Sequence, residues 1–471
     1  MAAAEEEAAA AAEGDGEGGD EEALRALEEM VAELYRFKDS LRLGDNPQKG
    51  DNDTPMGDNN PTGDKNTPKG DKKTPTGDKN PPKSDTDPQK GDGGRLAALE
   101  EEMERTVQRM EAVHVSPQGR GRALLLRARA LEAAPGGRGR AEAALGRALK
   151  LQPGLAPAWT RLGEARWSHG DITGATRCFQ GALAHCDDPE AHRLLSMALR
   201  RGGSLQEGLA QAEAAVRCDP TAGSSWYVLG NAYVSLFFAG GQSPEAARRA
   251  LGAYAQAEKI DPAAAANPDL HLNRATLLQY QERYGAALEG LARAAALAPE
   301  WAEPRMRHAR LLDFLGRLCA LLGNRGKVRG KRLRGLLGSL PPSLLGPLGG
   351  VPTLLGSLRF GANPGRALLG RVLFSLTPDE GVPLTLGVAD GAGAVAAVSV
   401  FNAAPNWGVL VGDALGLPEP RLRQQLVQHQ GKTFSFVSIR VPSPLSLVVN
   451  GRRPPPSAAA PPRLQCSNPP N

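Results

Sequence analysis

The chain has 471 residues, of which 41% are apolar and only 4% aromatic, with a net charge of +4. That length allows two or three domains, the weak charge excludes a generic polyanion binder, and the scarcity of aromatics makes Ala and Leu the main core residues. Five scattered cysteines (Cys178, Cys186, Cys218, Cys319, Cys466) and no CxxC exclude a disulfide framework and a zinc ribbon, so an intracellular, reduced protein is expected.

Residues 1–43 hold 13 acidic and 4 basic side chains. The first 19 read as a disordered acidic start, without the basic and apolar regions of a signal peptide. Over 20–43, Leu24, Leu27, Met30, Val31, Leu34 and Phe37 recur at three and four, which predicts an amphipathic helix. Residues 44–94 are a low-complexity insertion in which Gly-Asp recurs at 44, 50, 57, 63, 70 and 77 with Pro in most units. It has almost no aliphatic residues, so it cannot bury a core and is expected to stay disordered. Leu96, Leu99, Met103, Val107 and Met110 predict a second amphipathic helix, the partner of the first.

Residues 95–322 read as a repeat array with a step near 34. Trp159-x2-Leu162-Gly163 is followed by Ala175, Phe179 and Ala182. Trp226-x2-Leu229-Gly230-x2-Tyr233 is followed by Ala250, Tyr254, Ala257 and Pro262. Weaker copies start at Leu124, His192 and His271, and a helix at 303–319 caps the stack. This is the tetratricopeptide pattern of paired helices. The longer spacing before His271 is assigned to a loop at 238–244.

The first helix of each such pair lines a concave groove, and repeat positions 2, 5, 9 and 12 face it. With the starting Trp or His at position 4, the groove side chains are Thr160, Glu164 and Trp167, then Arg193, Met197 and Arg200, then Tyr227 and Asn231. Asp269, Leu272, Thr276 and Gln279 follow, and the cap adds Glu303, Met306 and Arg310. Arg193 and Arg200 thus face one stretch, and Asp269 and Glu303 the next. Arg grips a carboxylate bidentately, while the acids suit a guanidinium or free amine. Asn231 offers one donor and one acceptor to a peptide backbone.

Residues 323–365 read as a linker, first basic (Arg325, Lys327, Arg329, Lys331, Arg332, Arg334), then rich in Leu, Gly and Pro. The basic run has two functional readings, a phosphate-contacting patch and a nuclear import signal, beside a purely solubilising one. From 366 to 451 the period changes to two. Strands are expected at 368–377, 382–390, 393–402, 406–413, 432–441 and 444–451, with a helical piece at 419–428, as in a small barrel or sandwich. Residues 452–471 are Pro-rich and expected to fray.

His185, Cys186 and Cys178 share one helix with no second pair facing them, which disfavours a metal. No nucleophile–base grouping, GxSxG or Walker A string occurs. The chain therefore reads as non-enzymatic and without a cofactor.

Specific blocks add a resemblance. SWYVLGNAYVSLFF (225–238), NPDLHLNRATLLQY (267–280), YGAALEGLARAAALAPEWAEPR (284–305), NWGVLVGDALGLPEPRL (406–422) and GKTFSFVSIRVPSPLSLVVNG (431–451) resemble the tetratricopeptide repeat protein 5 family. The resemblance implies a tetratricopeptide α-solenoid followed by a C-terminal OB-fold barrel. It implies two roles. One is cytosolic, reading the Met-Arg-Glu start of nascent tubulin at the ribosome and triggering tubulin message decay. The other is nuclear, a stress-responsive scaffold for acetyltransferase coactivators, with chromatin or nucleic acid as a partner of the OB-fold. No membrane partner is implied, and the location is cytoplasm and nucleus. The family's groove residues match Arg200, Asp269 and Glu303, and the basic run becomes a ribosome contact. The Gly-Asp tract, a shortened turn at 201–204 and the Leu/Gly/Pro-rich stretch at 336–358 depart from the family's pattern.

Overall fold

The computed structural model describes residues 2–43, 88–346, 348–376 and 383–460. The chain divides into two compact units, Met1–Cys186 and Asp187–Asn471.

In the first unit, α1 (Ala2–Leu43) starts far ahead of the expected position 20. Residues 2–13 are Ala- and Glu-rich and have high intrinsic helix propensity, which the disordered reading of residues 1–19 underweighted, and the helix continues through the glycines that follow. Likewise α2 (Pro88–Glu111) begins inside the stretch expected to be disordered, whose remainder lies outside the described residues. Leu27, Val31 and Leu34 of α1 share one core with Met103, Val107 and Met110 of α2. Two helix pairs follow, α3 (Arg120–Leu131) with α4 (Arg138–Leu151), and α5 (Ala156–Ser168) with α6 (Ile172–Leu183).

The second unit continues the repeats with α7 (Pro189–Arg201), α8 (Leu205–Cys218), α9 (Gly223–Ala239) and α10 (Pro244–Ile260). Then come a single turn α11 (Pro262–Ala265), α12 (Pro268–Tyr280), α13 (Tyr284–Leu297) and the capping α14 (Ala302–Gly323). A short loop does stand at 240–243, inside the expected 238–244, but the extra length of the step before His271 is mostly helix. It is filled by α9 and α10, of 17 residues each, and by α11.

Small residues at the crossings let paired helices approach closely. A Cβ on Gly230 would stand 2.5 Å from the Tyr254 ring, which is fully buried. Gly230→Ala is expected to cost about 1–3 kcal/mol, as overpacking of a filled core does, read as a lower denaturation midpoint. An unchanged midpoint would mean that the α9–α10 crossing has slack.

The expected linker is packed structure. Residues 325–327 turn tightly with positive φ throughout, and Gly326 lies so close to β2 (Arg366–Leu376) that a Cβ there would meet the Leu373 carbonyl at 2.8 Å. Next, α15 (Gly330–Gly338) buries Leu333, and Leu345 and Leu355 are buried further on. The Pro and Gly signals marked turns within this segment, while its Leu residues supplied anchors. β1 (Val351–Pro352) pairs in parallel with β2, so the sheet starts before 366.

The remaining strands are β3 (Leu384–Asp390), β4 (Val395–Val400), β5 (Ala414–Pro418), β6 (Leu422–His429), β7 (Lys432–Val441) and β8 (Val448–Val449). Their order is β6-β7-β4-β3-β2-β5-β8. The expected helix at 419–428 is strand β6, paired with β7 from Leu422↔Ile439 to His429↔Lys432. The expected strand at 406–413 is a loop, closed by Asp413 accepting from the Leu410 N–H at 2.8 Å. Beyond 451, Ala458 is buried and Ala459 bridges Ala403, so that part of the tail is held.

Both faces of the sheet are covered. Leu368, Val372, Leu386, Val388, Val398 and Ile439 form its own core. Leu373, Phe374, Phe434 and Phe436 on the opposite face share a core with Leu288, Leu291, Leu311 and Leu315 of α13 and α14. Repeats and sheet are thus fused through buried apolar surface instead of tethered by a flexible linker. Among the described residues no helix is long and apolar enough to cross a membrane.

Candidate functional site

Hydrogen bonds step along the first helices of successive repeats in the second unit. Arg193 and Arg200 of α7 reach over α9, donating from Nη1 to Ser225 Oγ and Ser235 Oγ, each at 3.3 Å. Asn273 of α12 donates to Asn231 Oδ1 of α9 at 3.2 Å. Arg307 of α14 donates to Thr276 Oγ1 of α12 at 2.9 Å and lies 3.7 Å from Glu303.

Tyr227 links the positive and negative stretches. Burial pushes its hydroxyl up to about 12, Asp269 adds to the rise, and Arg200 opposes it. Asp269, half-buried on the first turn of α12, is itself held above the usual carboxylate range by burial and by Glu303. Arg200 and Asp269 thus both act on Tyr227, and Glu303 acts on Asp269. Arg193 stands farther along α7, where its charge helps to lower Asp219.

Three expected positions act differently. The Asn231 carbonyl is already occupied, accepting from Tyr254 Oη at 2.7 Å as well as from Asn273, and its amide lies against the Tyr227 hydroxyl. Its acceptor is spent on the helix network, so it is a support for Tyr227 and not a two-sided clamp on a peptide backbone. Leu272 is core, at 2% exposure. Thr160 of the first unit is buried and donates to the Ala156 carbonyl at 3.3 Å. Glu164 and Trp167 of that unit, like Gln279 of α12, are half-exposed, and Arg310 is exposed. Met197 and Met306 are exposed, which gives the groove polarizable apolar contacts. Asn273, Ser225 and Ser235 were not singled out in the sequence, and Tyr254 was read there only as part of the repeat pattern; tertiary contact reveals their part. All six residues of the basic run are exposed, three beyond α14 and three on α15.

A family model described as the tetratricopeptide repeat protein 5 OB fold domain matches residues 352–463. A relative from Homo sapiens, tetratricopeptide repeat protein 5, is 46% identical over 384 residues, covering 77% of this chain and 87% of its own. This chain belongs to the tetratricopeptide repeat protein 5 family. The Bos taurus protein of the same name is 47% identical, with equal coverage. Among solved structures, the thermophilic TPR protein TTC0263 of Thermus thermophilus matches at 23% identity and a TM-score of 0.33, covering 41% of this chain and 98% of that one. Membership in the tetratricopeptide repeat protein 5 family makes this chain a repeat adaptor, built to bind protein, with an OB-fold at its C-terminal end.

Proposed function

We propose that the groove of the second unit reads the Met-Arg-Glu start of nascent tubulin at the ribosome and so triggers decay of the tubulin message. One observation carries this reading: Asp269 is kept half-buried beside a second carboxylate, Glu303, with Arg200 acting on the same tyrosine from the other side. A desolvated carboxylate next to another is relieved by an incoming cation. A peptide presenting an amine, a guanidinium and a carboxylate within three residues supplies cations to the acid pair and an anion to Arg200. The exposed run 325–334 lies outside the groove helices and serves as the ribosome-facing surface. A second reading, a nuclear scaffold for acetyltransferase coactivators, draws on the same run as an import signal, and the protein then works in both cytoplasm and nucleus.

The test is pulldown of stalled ribosomes carrying a tubulin start or a scrambled one. The unaltered protein is expected on tubulin chains only. Reversal of Lys327, Lys331 and Arg332 to Glu should weaken ribosome capture while leaving affinity for free peptide unchanged. Equal capture of scrambled chains would refute peptide reading, and an equal fall in peptide affinity would refute the separation of surfaces.

A further inference from the structure

The helix pair α7–α8 gathers three kinds of ligand at its open end. Asp187 precedes α7, His192 stands in its first turn, and Cys218 ends α8. A carboxylate oxygen, an imidazole nitrogen and the thiol sulfur all lie within 4.8 Å of one another.

The histidine supplies a second, independent sign. His192 Nε2 is 2.6 Å from Asp187 Oδ1, while Nδ1 is 2.7 Å from Gln211 Oε1 of α8. A neutral ring cannot donate to both acceptors, so the arrangement calls for positive charge on the ring, from a second proton or from a metal cation on Nε2. With the metal, Nδ1–H donates to Gln211 and Nε2 gives its lone pair to the ion. Metal-bound histidines are oriented in this way by an acceptor on the far nitrogen.

We propose that Asp187, His192 and Cys218 form a zinc(II) site with three protein ligands and a fourth position open to solvent. Thiolate with imidazole selects a borderline-soft ion over magnesium or calcium. Tetrahedral zinc, with bonds of about 2.0–2.3 Å, sets its ligand atoms about 3.3–3.8 Å apart. The Asp187–His192 separation of 2.6 Å is shorter than that range, and rotation of the exposed Asp187 side chain opens it; no pair is more than 4.8 Å apart. Binding releases the Cys218 proton to solvent. The bound ion clips the start of α7 to the end of α8, and so steadies the helix that carries Arg193 and Arg200.

The probe is cobalt(II) alone, titrated into the full-length protein. One equivalent should give tetrahedral d–d bands and a thiolate-to-cobalt charge-transfer band, both bleached by zinc. Cys218→Ser should lose the charge-transfer band, and Cys319→Ser, on α14, should keep it. Gln211→Leu, which removes only the acceptor behind His192, should weaken zinc about 10–100-fold, the usual cost of losing such support. Circular dichroism checks that each variant folds. Absence of the charge-transfer band in the unaltered protein, or its survival in Cys218→Ser, would overturn the site. Unchanged zinc affinity in Gln211→Leu would overturn the role given to His192.

Discussion

Asp269→Ala is expected to lower affinity for a free Met-Arg-Glu peptide about thirtyfold or more, because breaking one side of a partly desolvated charge pair costs about 2–5 kcal/mol. The folded array should survive. An acidic residue in a helix's first turn is worth only about 0.3–1 kcal/mol, and the Asn267 cap that accepts from the Asp269 N–H remains. Arg200→Ala should lose a similar factor through the peptide's Glu. Arg200→Glu with a peptide whose Glu is changed to Arg should recover part of the loss, whereas a structural defect would not be rescued. Binding also has a pH sign. Asp269 titrates above the ordinary carboxylate range, so its grip on the guanidinium weakens earlier on acidification than an exposed Asp would allow. Calorimetry across acidic pH, with circular dichroism held constant, checks both claims. Normal affinity in Asp269→Ala would move the site elsewhere.

The groove charges were legible because repeat numbering needs only a starting residue and a period. Trp159, Trp226, Gly163 and Gly230 set that frame, and close packing at Gly230 leaves no room there for a larger residue. What numbering cannot read is how a polar group is spent once neighbours arrive. Asn231 looked like a clamp until Tyr254 and Asn273 filled its acceptor. The Asp187–His192–Cys218 cluster was invisible for a related reason. Its members meet only when the end of α8 returns to the start of α7. Strand β6 misled because Leu422 and Leu426 are four apart in a Gln-rich segment without a clear alternation, yet its full ladder with β7 overrides local propensity. The supposed linker misled through its prolines and glycines, which punctuate turns, while Leu333, Leu345 and Leu355 fasten it.

The same fastening gives Arg440 of β7 several partners where the repeats meet the sheet. Arg440 Nη1 donates to the Tyr280 carbonyl at the end of α12, at 2.7 Å. Its guanidinium carbon lies 3.5 Å from the Phe401 ring centroid and 4.9 Å from that of Tyr280. Nearby, Arg423 donates to the Gln281 carbonyl at 3.2 Å, and Gln242 and Asn402 exchange side-chain hydrogen bonds. Glu282 sits among them at 2% exposure, raised by burial and held down by Arg440. Arg440→Ala leaves that carboxylate buried without its main counter-charge. Neither Glu282 oxygen has a hydrogen-bond partner, so Arg440 acts on that carboxylate at longer range, and its loss also removes the hydrogen bond to the Tyr280 carbonyl; a lower urea midpoint is expected. Arg440→Met retains most of the packing volume and separates charge from shape. The pH dependence gives the sharper check. Glu282 is an acid whose folded titration lies above its unfolded one, so the fold gains stability as pH falls through that range and loses it as pH rises. Without Arg440 the shift grows, and the penalty is largest at neutral pH. The midpoint gap between Arg440→Met and the unaltered protein should therefore narrow on acidification, and Glu282→Gln combined with Arg440→Met should remove the narrowing. A gap that stays constant with pH would show that Arg440 acts through its contacts with Phe401 and Tyr280 alone.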